Sequence, residues 1–460
     1  MKCRSFLGTP SGVMPDGKRM RVFASWRFLF VCSFVAAAWV CQTTEAAGPG
    51  ADEAPNVPLA TACSQLHRSL LEVLEDARTQ NMAFSPSSIL RVLRLLQAGA
   101  AGQTLQQIVS FLDLEIAPLD LPNLSRTPEG RSTGIILQAA DRLYVGPDFE
   151  GEPTFENYCQ RIHSQFGGTT EALDLARDPV RSARIINRFV NHATFGEISQ
   201  VVSPADFTSS TKMAVINALY LKASWSCAFD PYGGWVFHAM DRYGAMVEQE
   251  GCQFMYKSVP LLYSEFLAGE TKAIRVPYKH PDLAMYFFMP SDLQAFESAP
   301  DFAFQVDNLV DQMKAELEQR RTQPNAHSGN VEIYIPKFVM PAEQNKLEVA
   351  RVLDTVGIRQ LFQDADLSRM TTHHGVGVSM FRHVTFLEVD EEGTTGAAAT
   401  AACVADGRGP TIRARLRFDQ PFFFQLRYQP DHERSGPGSA ATNMVLFTGH
   451  LVNCLDAQPQ

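Results

Sequence analysis

A run of very small residues near the C-terminal end limits most strongly what this chain can fold into. Residues 384–389 read as a strand, and residues 393–405 then hold only Gly, Ala, Thr, Cys and Val. A solvated linker usually carries Ser, Pro, Lys or Glu, and a helix usually carries a stripe of larger apolar residues. In an extended conformation, alternate side chains of the run share one face and are small enough to be buried. The run therefore predicts an exposed loop or an added central strand, and a flexible Ala/Gly-rich loop without any mechanism is the alternative.

Length and composition indicate a folded protein with a large core. The chain has 460 residues, of which 45% are hydrophobic and 20% charged, which excludes disordered, collagenous and coiled-coil classes. The net charge is −10 and the basic residues are scattered, so no nucleic-acid partner is expected. Length alone suggests about three domains. Because the sequence shows neither a repeat nor a long polar linker, we expect one mixed α/β domain over residues 48–460.

The N-terminal residues have the organisation of a secretory signal peptide. An apolar run covers residues 28–41, which is short for a membrane span of about 20 residues. Basic residues precede the run, and the small residues around Ala46 suit a signal peptidase. We therefore expect residues 1–47 to be removed, with Met20 as an alternative start, and the mature protein to be secreted without membrane attachment. A retained signal anchor is the alternative.

Six cysteines remain in the predicted mature chain, and none of them forms a CxxC pair, so neither a zinc site nor a redox motif is expected. Their pairing is left open. His373 and His374 are adjacent and lack an evident third ligand, so no metal is predicted. Asn123 begins an Asn-Leu-Ser sequon in a Pro-rich polar stretch and is a predicted glycosylation site on a surface loop. The six cysteines are Cys63, Cys159, Cys227, Cys252, Cys403 and Cys454.

Periodicity divides the mature chain into a helical first part and a strand-rich second part. Apolar residues at helical spacing predict helices over residues 59–78, 89–98, 182–199 and 342–356, the last of which ends at Gly357. Apolar and β-branched runs predict strands over residues 213–221, 273–277, 284–290, 331–338, 384–389, 421–428 and 444–451.

Several motifs, in chain order and in register with the small-residue run, resemble those of the serpin family. Residues 81–104 (NMAFSPSSILRVLRLLQAGAAGQT) are similar to an early serpin helix. Residues 187–198 (NRFVNHATFGEI) are similar to the serpin segment that leads from a helix to a strand, although Phe189 stands where Trp is usual. Residues 211–229 and four short motifs also match: Val276-Pro277-Tyr278, Pro336-Lys337-Phe338, Pro421-Phe422 and Leu446-Phe447-Thr448-Gly449. The resemblance implies an α+β serpin fold with about nine helices around three β-sheets and an exposed reactive loop at about residues 391–418.

The resemblance also assigns roles to particular residues. The polar residues expected under the central sheet, at the place where its strands separate, are Ser85, Ser88, Asn217 and His383. For His383, the alternative is a buried, hydrogen-bonded histidine that plays no part in strand separation. Trp225 is expected to pack beneath the top of the sheet. Within the hinge, two residues depart from the family pattern, Thr395 and Gly396, and glycine costs about 0.5–1 kcal/mol in a strand relative to alanine. The hinge from which insertion begins comprises Glu391, Glu392, Gly393, Thr394, Thr395, Gly396, Ala397, Ala398, Ala399 and Thr400.

By resemblance, the protein is a suicide inhibitor, expected to be monomeric, that forms a covalent complex with a serine protease. Family spacing places the reactive bond between Gly407 and Arg408. We favour the bond between Arg408 and Gly409, because an arginine side chain suits trypsin-like enzymes with an acidic pocket. A non-inhibitory carrier or chaperone is the alternative, but such members normally have charged or bulky residues in the hinge. An enzyme is not expected, because the chain has no Gly-x-Ser-x-Gly elbow and no cysteine-protease signature. No cofactor is indicated.

Overall fold

The computed structural model describes residues 57–74, 76–112, 120–259, 262–266, 270–322, 330–394, 412–430 and 443–458. The predicted signal peptide, most of the predicted hinge and both candidate reactive bonds lie outside these ranges. Within them, no helix is both long and apolar enough to cross a membrane, and no cluster of three or more His, Cys, Asp or Glu side chains is arranged to hold a metal ion.

Nine α-helices lie in the described residues. One of them, α2 (Pro86–Gly99), carries residues of the site described below, and Ser85 caps its start. The Ser85 hydroxyl accepts the backbone N–H of Ser88 at 3.2 Å, and Pro86 occupies the first helical position. The nine are α1 (Val57–Val73), α2 (Pro86–Gly99), α3 (Gly102–Leu112), α4 (Pro153–Phe166), α5 (Pro179–Ala193), α6 (Leu293–Ser298), α7 (Phe302–Thr322), α8 (Val349–Thr355) and α9 (Gln360–Gln363).

Seventeen strands are present in the same residues. They are β1 (Met82–Phe84), β2 (Ile136–Val145), β3 (Thr169–Ala172), β4 (Met213–Ser224), β5 (Asp230–Met240), β6 (Met246–Val259), β7 (Leu262–Phe266), β8 (Thr271–Pro277), β9 (Leu283–Pro290), β10 (Asn330–Pro336), β11 (Phe338–Met340), β12 (Lys346–Glu348), β13 (Met380–Val389), β14 (Gly393–Thr394), β15 (Ile412–Arg417), β16 (Phe422–Tyr428) and β17 (Met444–Leu451).

The strands form three sheets. A seven-stranded sheet, here the central sheet, has the order β11-β13-β14-β4-β2-β3, with β12 also paired to β13. A six-stranded sheet has the order β1-β17-β16-β9-β8-β7, and a four-stranded sheet the order β15-β10-β6-β5. The predicted α+β architecture, with about nine helices and three sheets, is confirmed in the described residues.

Strand β4 is buried on both of its faces. Met213, Val215 and Leu219 belong to the large core that also contains α2. Ala214 and Ile216 point the other way, into a second core beneath α5. Because both faces are covered, β4 reads as a continuous apolar run rather than as an alternating pattern. The central sheet is therefore a buried layer, and any strand added to it enters a nearly dry environment.

Two expectations need correction. The helix predicted over residues 342–356 is formed only at Val349–Thr355, because Lys346–Glu348 pair with β13 as strand β12 instead. The reactive loop predicted at about 391–418 is too long at its far end, because Ile412–Arg417 form β15, parallel to β10. In both cases, pairing with a strand that is distant in sequence decides the local conformation.

Candidate functional site

The hinge residues Gly393 and Thr394 form a two-residue strand, β14, within the central sheet. Thr394 pairs with Val389 of β13 on one side and with Ala223 of β4 on the other, and Gly393 pairs with Ser224. Below this point β13 and β4 pair directly and in parallel, over Met380–Phe386 and Ala214–Tyr220. The hinge is thus seated between the two strands at the place where their direct pairing stops.

Gly393 is required by close contact with β4. A Cβ atom at this position would lie 2.0 Å from the carbonyl oxygen of Ala223 and 2.7 Å from the Cα of Ser224. Its φ of +155° is also a conformation that glycine adopts more readily than other residues. Any larger residue here would push β14 away from β4.

A turn stabilised by side chains leads from β13 into β14. The Asp390 carboxylate accepts the backbone N–H groups of Glu392 at 2.8 Å and Gly393 at 2.9 Å. The backbone oxygens of Glu391 and Glu392 accept the N–H groups of Phe229 at 2.8 Å and Trp225 at 3.0 Å. Glu391 also forms an ion pair with Lys337 at 3.2 Å. The first hinge residues are therefore held in place by contacts on both sides.

An aromatic pair supports the hinge from beneath. The Trp225 ring stacks on Tyr278 with centroids 4.3 Å apart, and its indole N–H donates to the backbone oxygen of Asp390 at 2.9 Å. The Tyr278 hydroxyl lies 2.6 Å from the Thr394 hydroxyl, and burial raises the pKa of Tyr278. Trp225 is buried as expected, but it also fixes the turn through its hydrogen bond, which sequence reasoning did not anticipate.

The four polar residues predicted to lie under the central sheet are in mutual contact and completely buried. The Asn217 amide donates to the Ser88 hydroxyl at 2.6 Å, and its oxygen accepts from Nδ1 of His383. The backbone N–H of Ser85 donates to Nε2 of His383 at 3.0 Å. The structure thus brings all four together, while their role in opening the sheet stays a prediction.

His383 is a neutral imidazole in this cluster. Its Nε2 accepts a hydrogen bond, so the proton lies on Nδ1 and is donated to Asn217. Burial lowers the pKa of His383 to about 3. The Asn217–His383 contact joins β4 to β13, the two strands between which an inserting strand would pass.

Sequence reasoning missed Arg91 and Asp141, which extend the cluster. Asp141 of β2 lies opposite Asn217 of β4, accepts from the Asn217 amide, and forms an ion pair with Arg91 of α2. The side chains of Arg91 and Asp141 are 18% and 5% exposed, and burial lowers the pKa of Arg91 to about 10. The sequence analysis predicts no strand over residues 136–145. It therefore does not reveal the β2–β4 register that places Asp141 opposite Asn217.

The other predicted site residues are distributed as follows. Asn123 is exposed, and its side-chain oxygen accepts from the Ser125 hydroxyl at 2.7 Å. Cys63, Cys159, Cys252 and Cys454 are free thiols, whereas Cys227 is disulfide-bonded. Three sets of predicted residues lie outside the described ranges: residues 395–400 of the hinge, Cys403, and residues 407–409 of the two candidate reactive bonds.

Comparison with known proteins identifies the class to which this fold and hinge belong. A family model described as Serpin (serine protease inhibitor) matches residues 62–454. The chain therefore belongs to the serpin family, whose members are generally protease inhibitors rather than enzymes.

Individual relatives cover most of the chain. Serine protease inhibitor 42Dd of Drosophila melanogaster is 28% identical over 400 residues, which cover 85% of this chain and 96% of the relative. Human Serpin B8 is 27% identical over 394 residues, with coverage of 83% and 96%.

Solved structures show the same fold. Serpin48 of the insect Tenebrio molitor has a TM-score of 0.63 at 21% identity and covers 88% of this chain and 100% of its own. Uncleaved ovalbumin has a TM-score of 0.66 at 21% identity, with coverage of 86% and 99%.

Proposed function

We propose that this protein is a secreted suicide inhibitor of trypsin-like serine proteases. The observation that carries the proposal is the position of β14: the first hinge residues already lie between β13 and β4, in line with the path that the small-residue run would follow. Family membership supports inhibition in general. The predicted signal peptide supports secretion.

The inhibitory step follows from this position. The protease hydroxyl attacks the carbonyl carbon of Arg408, the peptide bond to Gly409 breaks, and the new amino group of Gly409 leaves with the proton from the hydroxyl. An ester then joins Arg408 to the protease. With the loop cut, the residues after Thr394 are free to extend β14 downward between β4 and β13, and the attached protease is carried along before water hydrolyses the ester.

Insertion requires the central sheet to separate. Neighbouring strands lie about 4.8 Å apart, so a strand between β4 and β13 would move them to about 10 Å. The Asn217–His383 hydrogen bond must then break, because it joins β4 to β13, whereas Asn217 keeps Asp141 on the neighbouring strand β2. Asn217 thus retains a partner, which lowers the energetic penalty of opening, whereas Ser85 and Ser88 lie together at the start of α2 and can follow only one of the two strands.

The composition of the run favours inhibition over the carrier alternative. A charge inserted into this buried layer would carry a desolvation penalty of several kcal/mol. Residues 394–405 contain no charged side chain. A carrier that does not insert its loop has no need for such a restriction.

Incubation with trypsin tests the proposal. We expect a covalent complex that survives boiling in detergent, and a C-terminal fragment, measured by mass after reduction, that begins at Gly409. A fragment that begins at Arg408 would move the reactive bond to Gly407–Arg408. Arg408→Gln should slow complex formation with trypsin, whereas Arg415→Gln, on the exposed face of β15, should not. Cleavage without any complex would overturn the inhibitory function.

A further inference from the structure

Two cysteines that are far apart in sequence lie near each other at strand β6 of the four-stranded sheet. Cys252 lies in β6, opposite Trp235 of β5. Cys454 lies just after β17 and immediately precedes the short 3-10 helix Leu455–Ala457. Both side chains are fully buried thiols in the structure.

Two glutamines bind the segments that carry these cysteines to each other. The Gln249 side-chain oxygen accepts the backbone N–H of Cys454 at 3.1 Å, and its backbone oxygen lies 3.9 Å from the Cys252 sulfur. Gln458 donates to the Cys454 sulfur at 3.1 Å and accepts the backbone N–H of Gln253 at 2.9 Å. Two of these contacts, from Gln249 to the backbone of Cys454 and from Gln458 to the backbone of Gln253, hold the two segments together without involving the thiols.

The two thiols also affect each other's pKa. The Cys454 thiol forms a hydrogen bond with the Cys252 sulfur, which lowers the pKa of Cys252 and raises the pKa of Cys454. A lowered pKa favours the thiolate, which is the nucleophile in disulfide exchange. The other two free thiols have different surroundings: Cys159 lies 3.2 Å from the Thr170 hydroxyl, and burial raises the pKa of Cys63 to about 12.

We propose that Cys252 and Cys454 form a disulfide bond in the mature protein, joining the C-terminal segment to β6. The oxidant is a disulfide carrier of the secretory compartment, so the bond rests on the proposed secretion of the protein. Because both sulfurs are buried in the folded protein, the exchange takes place before the C-terminal segment has packed against β6: the Cys252 thiolate attacks one sulfur of the carrier disulfide and releases one carrier thiol. The Cys454 thiolate then attacks the Cys252 sulfur of this mixed disulfide and releases the second thiol. Two protein thiols are oxidised, and one carrier disulfide is reduced.

This bond has a consequence for the cleaved protein. Cys252 and Cys454 lie on opposite sides of the loop between β14 and β15. Any cut in that loop divides the chain into two fragments that the disulfide still joins covalently. The C-terminal fragment would therefore stay attached after cleavage, whether the protease is trapped or not, so this inference does not depend on inhibition.

Peptide mapping tests the bond on the wild-type protein secreted from cultured cells. Free thiols are alkylated in denaturant, and the protein is digested without reduction. We expect a linked pair of peptides that contain Cys252 and Cys454 and disappear on reduction. Alkylation of both residues, or a link from either one to Cys227, would overturn the proposal.

Electrophoresis after loop cleavage gives a second readout. We expect the wild-type C-terminal fragment to separate from the body only in reducing detergent. Cys454→Ser should release it without a reductant, whereas Cys159→Ser should behave as wild type. Release of the wild-type fragment without a reductant would contradict the disulfide, and this result is independent of whether a protease complex forms.

Discussion

The hydroxyl of Thr394 lies 2.6 Å from the hydroxyl of Tyr278, and both residues are buried. Thr394 belongs to the hinge, and Tyr278 follows directly after β8 of the six-stranded sheet. The contact therefore ties the start of the reactive loop to a part of the molecule that does not need to move when the central sheet opens. In the proposed mechanism, this contact fixes the position at which insertion begins.

Loss of the Tyr278 hydroxyl should weaken this tie. Tyr278→Phe leaves the Thr394 hydroxyl buried without its tyrosine partner, and we expect the free energy of unfolding to fall by about 1–2 kcal/mol. Urea unfolding measures the change. Tyr243→Phe is the control, because Tyr243 is 79% exposed and its substitution should leave stability unchanged. Equal stability of the two variants would show that the contact contributes nothing.

A charge at the hinge should convert an inhibitor into a substrate. Thr394→Arg places a cation between β13 and β4, where its desolvation disfavours insertion by several kcal/mol. We expect trypsin to cleave the variant and escape, so that detergent gels show cleaved protein in place of complex. Thr394→Val retains a small uncharged side chain and should still form complex. Undiminished inhibition by Thr394→Arg would contradict loop insertion.

The Arg91–Asp141 pair should contribute to stability. Asp141→Asn keeps a similar shape but removes the negative charge beside Arg91, which is only 18% exposed. We expect a loss of about 3 kcal/mol in the free energy of unfolding. Glu129→Gln removes one partner of the exposed Glu129–Arg131 pair and should have no measurable effect. A similar result for both variants would mean that the buried pair is no more important than a surface one.

His383 should make the folded state less stable in acid. Its folded-state pKa of about 3 lies below its ordinary value near 6.5, so between these values the unfolded chain binds a proton that the folded protein does not. Stability contributed by His383 is therefore lost as the pH falls below 6.5, by about 2 kcal/mol at pH 5. Glu297 raises the pKa of His450, so protonation of His450 favours the folded state as the pH falls, opposite to the effect of His383. We therefore expect His383→Gln to lose less stability than wild type between pH 7 and pH 5, and parallel losses would contradict the assignment.

Phe195 carries backbone strain that a substitution should relieve. It has a φ of +56° and is 62% exposed, with its ring 5.4 Å from that of Tyr220. Asparagine tolerates this left-handed conformation better than phenylalanine. We expect Phe195→Asn to raise the free energy of unfolding by about 1 kcal/mol, as relief of strain exceeds the loss of an exposed ring contact. A lower stability would show that the Tyr220 contact is the larger effect.

The sequence predicted those parts of the fold that local patterns determine. The capped start of α2 at Ser85 and the apolar runs of β4 and β17 were evident from spacing and composition. Local periodicity predicts helix over the residues of β12, because the pairing partner that makes them a strand, β13, is distant in sequence. The polar cluster was found through the family resemblance, but Asp141 was not, since its role depends on the β2–β4 register.

The hinge can be located from the sequence, but the contacts that hold it between β13 and β4 cannot. Residue size indicates where a strand can enter the sheet, and the resemblance identifies the hinge residues. The contact of Thr394 with Tyr278 and the hydrogen bond from Trp225 to Asp390 depend on packing between separate sheets. Local periodicity carries no information about such contacts.

The central claim is that the cleaved loop enters the central sheet, and the thermal stability of the cleaved protein tests it most directly. A protease that cuts between residues 395 and 407 without being trapped gives cleaved protein for comparison with intact protein in the same buffer. An inserted strand adds backbone hydrogen bonds along β4 and β13, so we predict a clearly higher unfolding temperature after cleavage. An unchanged or lower unfolding temperature would contradict insertion and, with it, the proposed mechanism.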